Sequence, residues 1–178
     1  MKQDKHTNLW LEIVVIVASV LALVLLLYFV MIVSFQSGTQ SINITMRMAG
    51  MVAAGVFENP TQEQIMTVSK LIRYGAHIAL FFVLGVAVAF VSMVICRRYY
   101  RIAGVFMSGV VCYVLAYYTE YYKQFIDGRH FQMSDVSLNW YGSLAGIICM
   151  VGSYFLNRLL VKLSLWNENG RHHRGGMR

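Results

Sequence analysis

The stretch IVVIVASVLALVLLLYFVMIV, residues 13–33, contains no ionisable side chain and is long enough to span a lipid bilayer. About 20 predominantly apolar residues are needed to cross the hydrocarbon core as a helix. The rest of the chain resembles this segment in character, because 58% of the residues are hydrophobic, 13% are charged and the mean hydropathy is +0.57. The sequence therefore predicts an integral membrane protein rather than a soluble domain.

Three further apolar stretches reach the length of a membrane span, and the chain is predicted to be an all-α, polytopic membrane protein. The predicted membrane helices cover about residues 11–34, 72–96, 102–122 and 135–160. They make up a transmembrane domain over residues 1–166, which a basic cytoplasmic tail follows over residues 167–178. A helical outer loop is expected between the first two helices.

The N-terminus also has features of a secretory signal, because Lys2 and Lys5 precede an apolar run. That run is much longer than the core of a signal peptide, which has about 7–15 apolar residues, and no small-residue cleavage site follows it. We therefore expect an uncleaved first membrane helix.

The distribution of Lys and Arg predicts the orientation of the helices, because cytoplasmic loops carry an excess of these residues. If four helices alternate, the same side of the membrane receives Lys2, Lys5, Arg97, Arg98, Arg101, Arg158, Lys162, Arg171, Arg174 and Arg178. The opposite side receives fewer cations, and acidic residues partly offset them. Both termini are therefore predicted to be cytoplasmic. The net charge of +7 is explained by this topology and by anionic lipids, without a nucleic acid partner.

The loop between the first two membrane helices is long and partly apolar. It begins with the polar, turn-prone SFQSGTQS of residues 34–41, and residues 42–57 then carry apolar side chains with which a helix could lie on the membrane. This segment is predicted to be either a packing helix that covers the mouth of the bundle or a mobile lid that contacts lipid. Thr61 is a candidate N-cap for the helix that follows.

Polar and ionisable side chains collect near the outer ends of the second, third and fourth membrane helices. Such groups are costly beside lipid, about 2.5–3.5 kcal/mol each at the bilayer centre, and they usually serve a function there. At about 1.5 Å per residue, His77 and Asn139 would each lie within roughly 10 Å of the outer interface. Ser134 is a candidate N-cap of the fourth helix. The candidate ligand-binding residues are Arg73, His77, Glu120, Lys123, Gln124, Arg129, Asp135 and Asn139.

Each of these residues also has a purely structural explanation. Asp135 could be only a helix cap, at the positive N-terminal end of the helix. Asn139 could do no more than form an interhelical hydrogen bond, and Arg73 could form a single structural ion pair with Glu120. Gly142 lies in a small-residue pattern that suits close helix packing. Convergence of so many polar groups at one level nevertheless favours a binding site, since a helix bundle needs only one or two polar contacts.

Catalytic, metal and cofactor sites are not indicated. The chain has no GxSxG, HExxH or glycine-rich phosphate loop, and the three cysteines lie in or at the ends of membrane helices. His172 and His173 are adjacent and would project in different directions, which favours a solvated tail over a metal site. An enzyme remains the alternative, because His77 with Glu120 or Asp135 could act as an acid and base on a lipid phosphate. A lipid carrier is a further alternative, although few polar residues lie deeper in the bundle.

The polar residues carry a resemblance to the VanZ-like family of bacterial membrane proteins. Besides SFQSGTQS at residues 34–41 and RYGAH at residues 73–77, the similarity rests on Glu120, Gln124, Phe125, Gly128, Arg129, Asp135, Asn139 and Gly142. The chain departs from the family pattern at Lys123, where Gln is common, and at Leu80 and Phe81, where an acid and Tyr are common.

The resemblance implies a multi-pass protein of the bacterial plasma membrane, linked in some family members to low-level resistance to teicoplanin-type glycopeptides. It also implies structural roles for Gly128 and Gly142. Placed in the outer leaflet, Arg73, His77 and Arg129 would hold an anionic head group, because Arg binds oxyanions through two parallel hydrogen bonds. The expected partners are membrane lipids, including lipid-linked cell-wall precursors, or a lipoglycopeptide.

Overall fold

The structure is a computed structural model that describes residues 3–96 and 101–175, and within these ranges it contains five α-helices and no strand. The helices are α1 Gln3–Ser34, α2 Gly38–Val56, α3 Gln62–Ile95, α4 Arg101–Lys123 and α5 Met133–Gly175. Four of them, α1, α3, α4 and α5, are long and apolar enough to cross a membrane. The predicted all-α fold, with four membrane helices and a helical connection between the first two, is confirmed.

The helices extend further than the apolar segments from which they were predicted. α3 begins at Gln62 because Thr61 caps it: the Thr61 hydroxyl accepts from the Gln64 N–H, and the Gln64 side chain accepts from the Thr61 N–H. This capping box confirms the predicted N-cap. α5 begins at Met133, so Ser134 lies inside the helix and its prediction as N-cap is wrong.

The backbone of α5 also continues through much of the predicted tail, as far as Gly175. Part of the orientation pattern falls outside the described residues, namely Lys2, Arg97, Arg98 and Arg178. The cations of the pattern that remain in the described helices are Lys5, Arg101, Arg158, Lys162, Arg171 and Arg174.

α3 lies at the centre of the bundle and contacts each of the other four helices. The buried apolar core comprises Val30, Phe81, Leu84, Val88, Ala89, Cys112, Ala116, Val136 and Ile147. Outside this core, large apolar side chains face away from the protein along most of α1 and along one side of α5. Apolar surface of this extent would be an aggregation hazard in water, whereas in a bilayer it contacts hydrocarbon.

α3 and α5 approach each other so closely that no side chain fits between their backbones at three glycines, Gly85 of α3 and Gly142 and Gly146 of α5. A Cβ atom on Gly142 would lie 2.6 Å from the carbonyl oxygen of Ile78, and one on Gly146 would collide with the carbonyl oxygen of Phe82. Small residues permit this approach, which is a main means of helix association in membranes. As a result, the first turns of α5 lie directly beside the first half of α3.

A second close contact holds the start of α2 against the connection between α4 and α5. Ser37 caps α2 by accepting from the Gln40 N–H at 3.3 Å. The next residue, Gly38, donates its N–H to the Asp127 carbonyl at 3.3 Å, and a Cβ on Gly38 would collide with the Gly128 carbonyl. Gly128 has a φ of 73°, which favours glycine. α2 is thereby fixed over the same end of the bundle as the start of α5, hereafter the α2 end.

Candidate functional site

Arg73 on α3 and Asp135 in the first turn of α5 form an ion pair at the α2 end. Arg73 Nη2 lies 2.6 Å from Asp135 Oδ2. The carboxylate is completely buried, whereas the Arg73 side chain is 43% exposed. Asp135 Oδ1 has no hydrogen-bond partner among the described residues. A buried carboxylate is stable only with a paired charge, so Asp135 holds the Arg73 guanidinium in place.

His77 lies one helical turn beyond Arg73 and is held by the same part of α5. Its Nδ1 atom is 2.9 Å from Asn139 Oδ1, and its Nε2 atom is 3.7 Å from Asp135 Oδ2. Because the amide oxygen accepts a hydrogen bond, the assigned geometry places a proton on Nδ1 and directs Nε2 towards the carboxylate. Asn139 and Asp135 therefore determine the orientation of the imidazole ring.

Glu120 and Lys123 form a second ion pair within the last turns of α4. Lys123 Nζ donates to Glu120 Oε2 at 2.5 Å, and the two side chains are only 2% and 1% exposed, respectively. The alternative pairing of Arg73 with Glu120, which the sequence left open, is not formed. Each acid instead has its own cation. One ion pair joins α3 to α5, and the other lies within α4.

Arg129, in the connection between α4 and α5, has no carboxylate within ion-pair distance among the described residues. Its Nη1 atom donates to the Ser34 carbonyl at the end of α1, at 3.3 Å. Burial lowers the pKa of the Arg129 guanidinium, as does the positive charge of Arg73, whereas Glu120 and Asp135 raise it. Arg retains its charge at physiological pH even when such effects act on it. Arg129 therefore contributes a positive charge for which the site has no matching acid.

Two cavities lie beside these side chains and share part of their lining. The larger, of about 220 Å³, lies between α2 and α3, and the smaller, of about 100 Å³, extends to the connection between α4 and α5. Ser41, Arg73, Lys123 and Arg129 line both. The two cavities thus form one site whose shared wall is positively charged.

The larger cavity combines polar and apolar walls. Arg73, His77 and Lys123 are among its polar lining residues. Apolar side chains from three helices complete it, namely Val33 of α1, Ile44 and Met48 of α2, and Ile72, Ala76 and Leu80 of α3. Such a lining can accept an anionic group together with the first carbons of a hydrocarbon chain.

The structure places the predicted site residues in three groups. Arg73, His77, Lys123 and Arg129 line the larger cavity, and Glu120 lines the smaller one. Asp135 and Asn139 are buried behind the cavities, where they hold Arg73 and His77. Gln124 is exposed and lines neither cavity. Gly128 and Gly142 lie at the two close backbone contacts described above.

Several lining residues were missed by the prediction from sequence. Ser34, Gln36 and Ser41 come from the SFQSGTQS segment, Thr45 follows on α2, and His130 and Gln132 precede α5. For Ser34, Gln36 and Ser41 the sequence offered the polar character of SFQSGTQS between two apolar stretches and its part in the family resemblance. Nothing local indicates that this segment reaches Arg129, which is 95 residues away from Ser34 along the chain.

A further cavity, of about 540 Å³, lies elsewhere, between α1, the end of α3 and α5. Its walls are mostly apolar, with Leu11, Val15, Phe90 and Met150 among them. It has room for hydrocarbon but lacks the convergent charged groups of the α2 end. In the parts of the chain that the structure describes, no cluster of His, Cys, Asp and Glu could hold a metal ion.

Comparison with known proteins identifies the family of the chain. A family model described as VanZ/LLP1 matches residues 19–157. The match takes in the second half of α1, all of α2, α3 and α4, and α5 as far as residue 157. No curated protein and no solved structure gave a match. Because the family model spans most of the chain, this membrane protein belongs to the VanZ/LLP1 family.

Proposed function

We propose that this VanZ-like membrane protein binds an amphiphile with an anionic head group at the outer leaflet of the bacterial plasma membrane. Arg129 is the observation that carries the proposal, because it lines both cavities and has no carboxylate partner among the described residues. An unmatched guanidinium in a half-buried site is stabilised by an oxyanion, with which it forms charge-assisted hydrogen bonds.

The walls of the larger cavity support an amphiphile rather than a free anion. Ile44 and Met48 of α2 face this cavity together with Ile72 and Leu80 of α3. Ile44 and Met48 are also about half exposed, so the apolar wall continues towards the surface of the bundle. A head group near Arg129 would therefore have its hydrocarbon chain between α2 and α3, where the chain can join the surrounding lipid.

The distribution of Lys and Arg along the chain supports a site that faces the outer leaflet. With the Lys- and Arg-rich ends of the helices in the cytoplasm, the α2 end faces the outer leaflet. Lipid-linked cell-wall precursors and lipoglycopeptides both meet the membrane there, and both combine a polar group with a hydrocarbon chain. Sequestration of such a molecule is the route by which the protein would contribute to resistance against teicoplanin-type glycopeptides.

An enzyme or carrier acting on a lipid phosphate is the second candidate. It is favoured by His77, which lines the larger cavity while its Nε2 atom faces the buried carboxylate of Asp135 at 3.7 Å. A histidine that lines a phosphate-binding cavity is a candidate general acid or base. Release of inorganic phosphate or movement of the lipid between leaflets would identify this activity, whereas a binding protein would show neither.

The proposal is tested with the full chain purified in detergent and titrated with a fluorescent anionic phospholipid. We expect Arg129→Ala to weaken binding by about tenfold or more, the loss expected when a charge-assisted hydrogen bond is removed. Arg47→Ala is the matched control, because Arg47 is an exposed cation on α2 that lines neither cavity. Equal affinities of the parent and Arg129→Ala would refute a ligand site at Arg129.

The resistance component has a separate test. Parent, Glu120→Gln, Arg129→Ala and Asp135→Asn are expressed at equal membrane abundance in a sensitive Gram-positive host, and susceptibility to a teicoplanin-type glycopeptide is measured. We expect the parent to lower susceptibility and the variants to lose this effect. If the parent and all three variants have the same susceptibility, the protein does not contribute to resistance through this site.

A further inference from the structure

The balance of charges in the site indicates how much negative charge its ligand carries. Arg73, Lys123 and Arg129 are positive and line both cavities, whereas the two acids of the site, Asp135 and Glu120, form ion pairs with Arg73 and Lys123, respectively. With a neutral His77, the formal charge of this group is three minus two, or +1. The surplus resides on Arg129, since the other two cations each have an acid at 2.6 Å or less.

Among the described residues, no further acid reduces this surplus through an ion pair. The acids that act electrostatically on Arg129 are Glu120 and Asp135, whereas Arg73 and Lys123 add positive charge beside it. Asp127 is near in the chain but exposed, and it contacts Gly38 through its backbone carbonyl. The positive charge is therefore local to the cavities.

Arg129 also has hydrogen-bonding capacity that the protein uses only in part. A guanidinium has five N–H donors, and the described contact of Arg129 is one bond of 3.3 Å to the Ser34 carbonyl. Ser41 lines both cavities and carries a hydroxyl on the neighbouring helix. An oxyanion between these two residues would receive a pair of hydrogen bonds without displacing either ion pair.

We propose that the site selects amphiphiles whose head group carries a single net negative charge, and that Arg129 determines this selectivity. The proposal rests on the proposed function and adds the ligand's charge to it. One negative charge neutralises the surplus of the site. A second one would remain uncompensated near the carboxylates of Glu120 and Asp135, where the low dielectric makes like-charge repulsion strong. A phosphodiester or a carboxylate meets this requirement, whereas a phosphate monoester does not.

The test compares lipids that share the same short acyl chains, bound to the full chain in detergent at about pH 8, where a phosphate monoester is close to doubly charged. Phosphatidylglycerol supplies one charge, phosphatidic acid about two, and phosphatidylcholine no net charge. We expect phosphatidylglycerol to bind about tenfold or more tightly than phosphatidylcholine, and phosphatidic acid to bind more weakly than phosphatidylglycerol. A fatty acid serves as the carboxylate probe, and its affinity relative to phosphatidylglycerol shows which of the two singly charged chemistries the site prefers.

Three variants test whether the selectivity depends on charge. Arg129→Gln should lose the preference for phosphatidylglycerol over phosphatidylcholine, and Arg129→Lys should retain most of it. Gln132→Lys adds a cation at an exposed residue that lines the smaller cavity, and it should shift the preference towards phosphatidic acid. Thermal unfolding shows whether each variant is folded, and Gln132→Lys keeps the test informative if Arg129 variants are unstable.

The outcomes separate the inference from the proposed function. Tighter binding of phosphatidic acid than of phosphatidylglycerol by the parent overturns the single-charge selectivity but leaves an anion-binding site. Unchanged selectivity in Arg129→Gln overturns the role of Arg129. If none of the anionic probes binds more tightly than phosphatidylcholine, the proposed function itself is wrong.

Discussion

The Arg73 guanidinium and the Asp135 carboxylate form a 2.6 Å ion pair in which the acid is completely buried and the cation is nearly half exposed. This asymmetry predicts unequal effects of the two substitutions. Arg73→Gln leaves a buried carboxylate without its partner and should destabilise the protein by about 3–5 kcal/mol. Asp135→Asn leaves a cation that solvent can reach, so its effect should be smaller. Unfolding in mixed detergent micelles measures both, and an equal or reversed order would contradict this account.

Glu120 and Lys123 are both buried, so their contribution depends on their remaining together. Glu120→Leu or Lys123→Met alone strands one buried charge and should cost about 3–5 kcal/mol. The double variant removes both charges and should recover most of that stability, because a buried ion pair is often replaceable by apolar residues. Unfolding free energies of the four proteins form a double-mutant cycle. Additive losses would show that the pair is not coupled.

The close approach of α3 and α5 can be tested with an added methyl group. Gly146→Ala places a Cβ against the Phe82 carbonyl and should destabilise the bundle by about 1–3 kcal/mol. Gly152→Ala, on the same helix, meets no atom within 4 Å and should leave stability unchanged or slightly raised. Thermal unfolding distinguishes the two, and a neutral Gly146→Ala would show that the helices separate easily at this point.

The contact between Gly38 and Gly128 makes α2 part of the site. Gly38→Ala drives a Cβ into the Gly128 carbonyl and should displace α2 from the α4–α5 connection. Because Ser41 lines both cavities three residues later, lipid binding should weaken together with stability. Gly50→Ala, also on α2 but in open space, is the control for helix propensity. Normal lipid affinity in Gly38→Ala would mean that α2 is dispensable for the site.

The orientation of the protein is tested with reporters fused at two positions. A periplasm- or surface-active reporter inserted after Asp127 should be active only outside the cytoplasm, since the connection between α4 and α5 is predicted to be external. The same reporter fused after Trp166 should be inactive, because the end of α5 is predicted to lie in the cytoplasm. The opposite pattern would place the cavities at the inner leaflet and overturn the proposed exposure to cell-wall precursors.

Prediction from sequence succeeded for features that depend on neighbouring residues. Apolar length identified the four helices that can cross a membrane, and Thr61 was correctly predicted as the N-cap of α3. It failed at Ser134, because α5 begins at Met133, one residue before the side chain that was predicted to cap it. The continuation of α5 into the predicted tail was missed, because its polar turns continue the helix beyond the apolar segment and hydropathy does not detect them.

Polar side chains are conspicuous in apolar helices, so the sequence could nominate candidate site residues, but it could not assign their partners. Arg73 could pair with Glu120 or with Asp135, and the choice depends on how α3 is rotated relative to α4 and α5. The glycine contacts between α3 and α5 restrict that rotation, and they involve residues about sixty positions apart.

Sequence information was sufficient for the number of membrane helices and for the approximate level of the polar groups, because transfer into lipid depends on local composition. Only the tertiary structure assigned Asp135 to Arg73, placed Gln124 outside the cavities and left Arg129 without an acid. These results depend on packing between distant segments, where a rotation of one helix by a single residue changes which charges meet. The unmatched charge of Arg129, on which the proposed ligand selectivity rests, is thus a property of the folded chain.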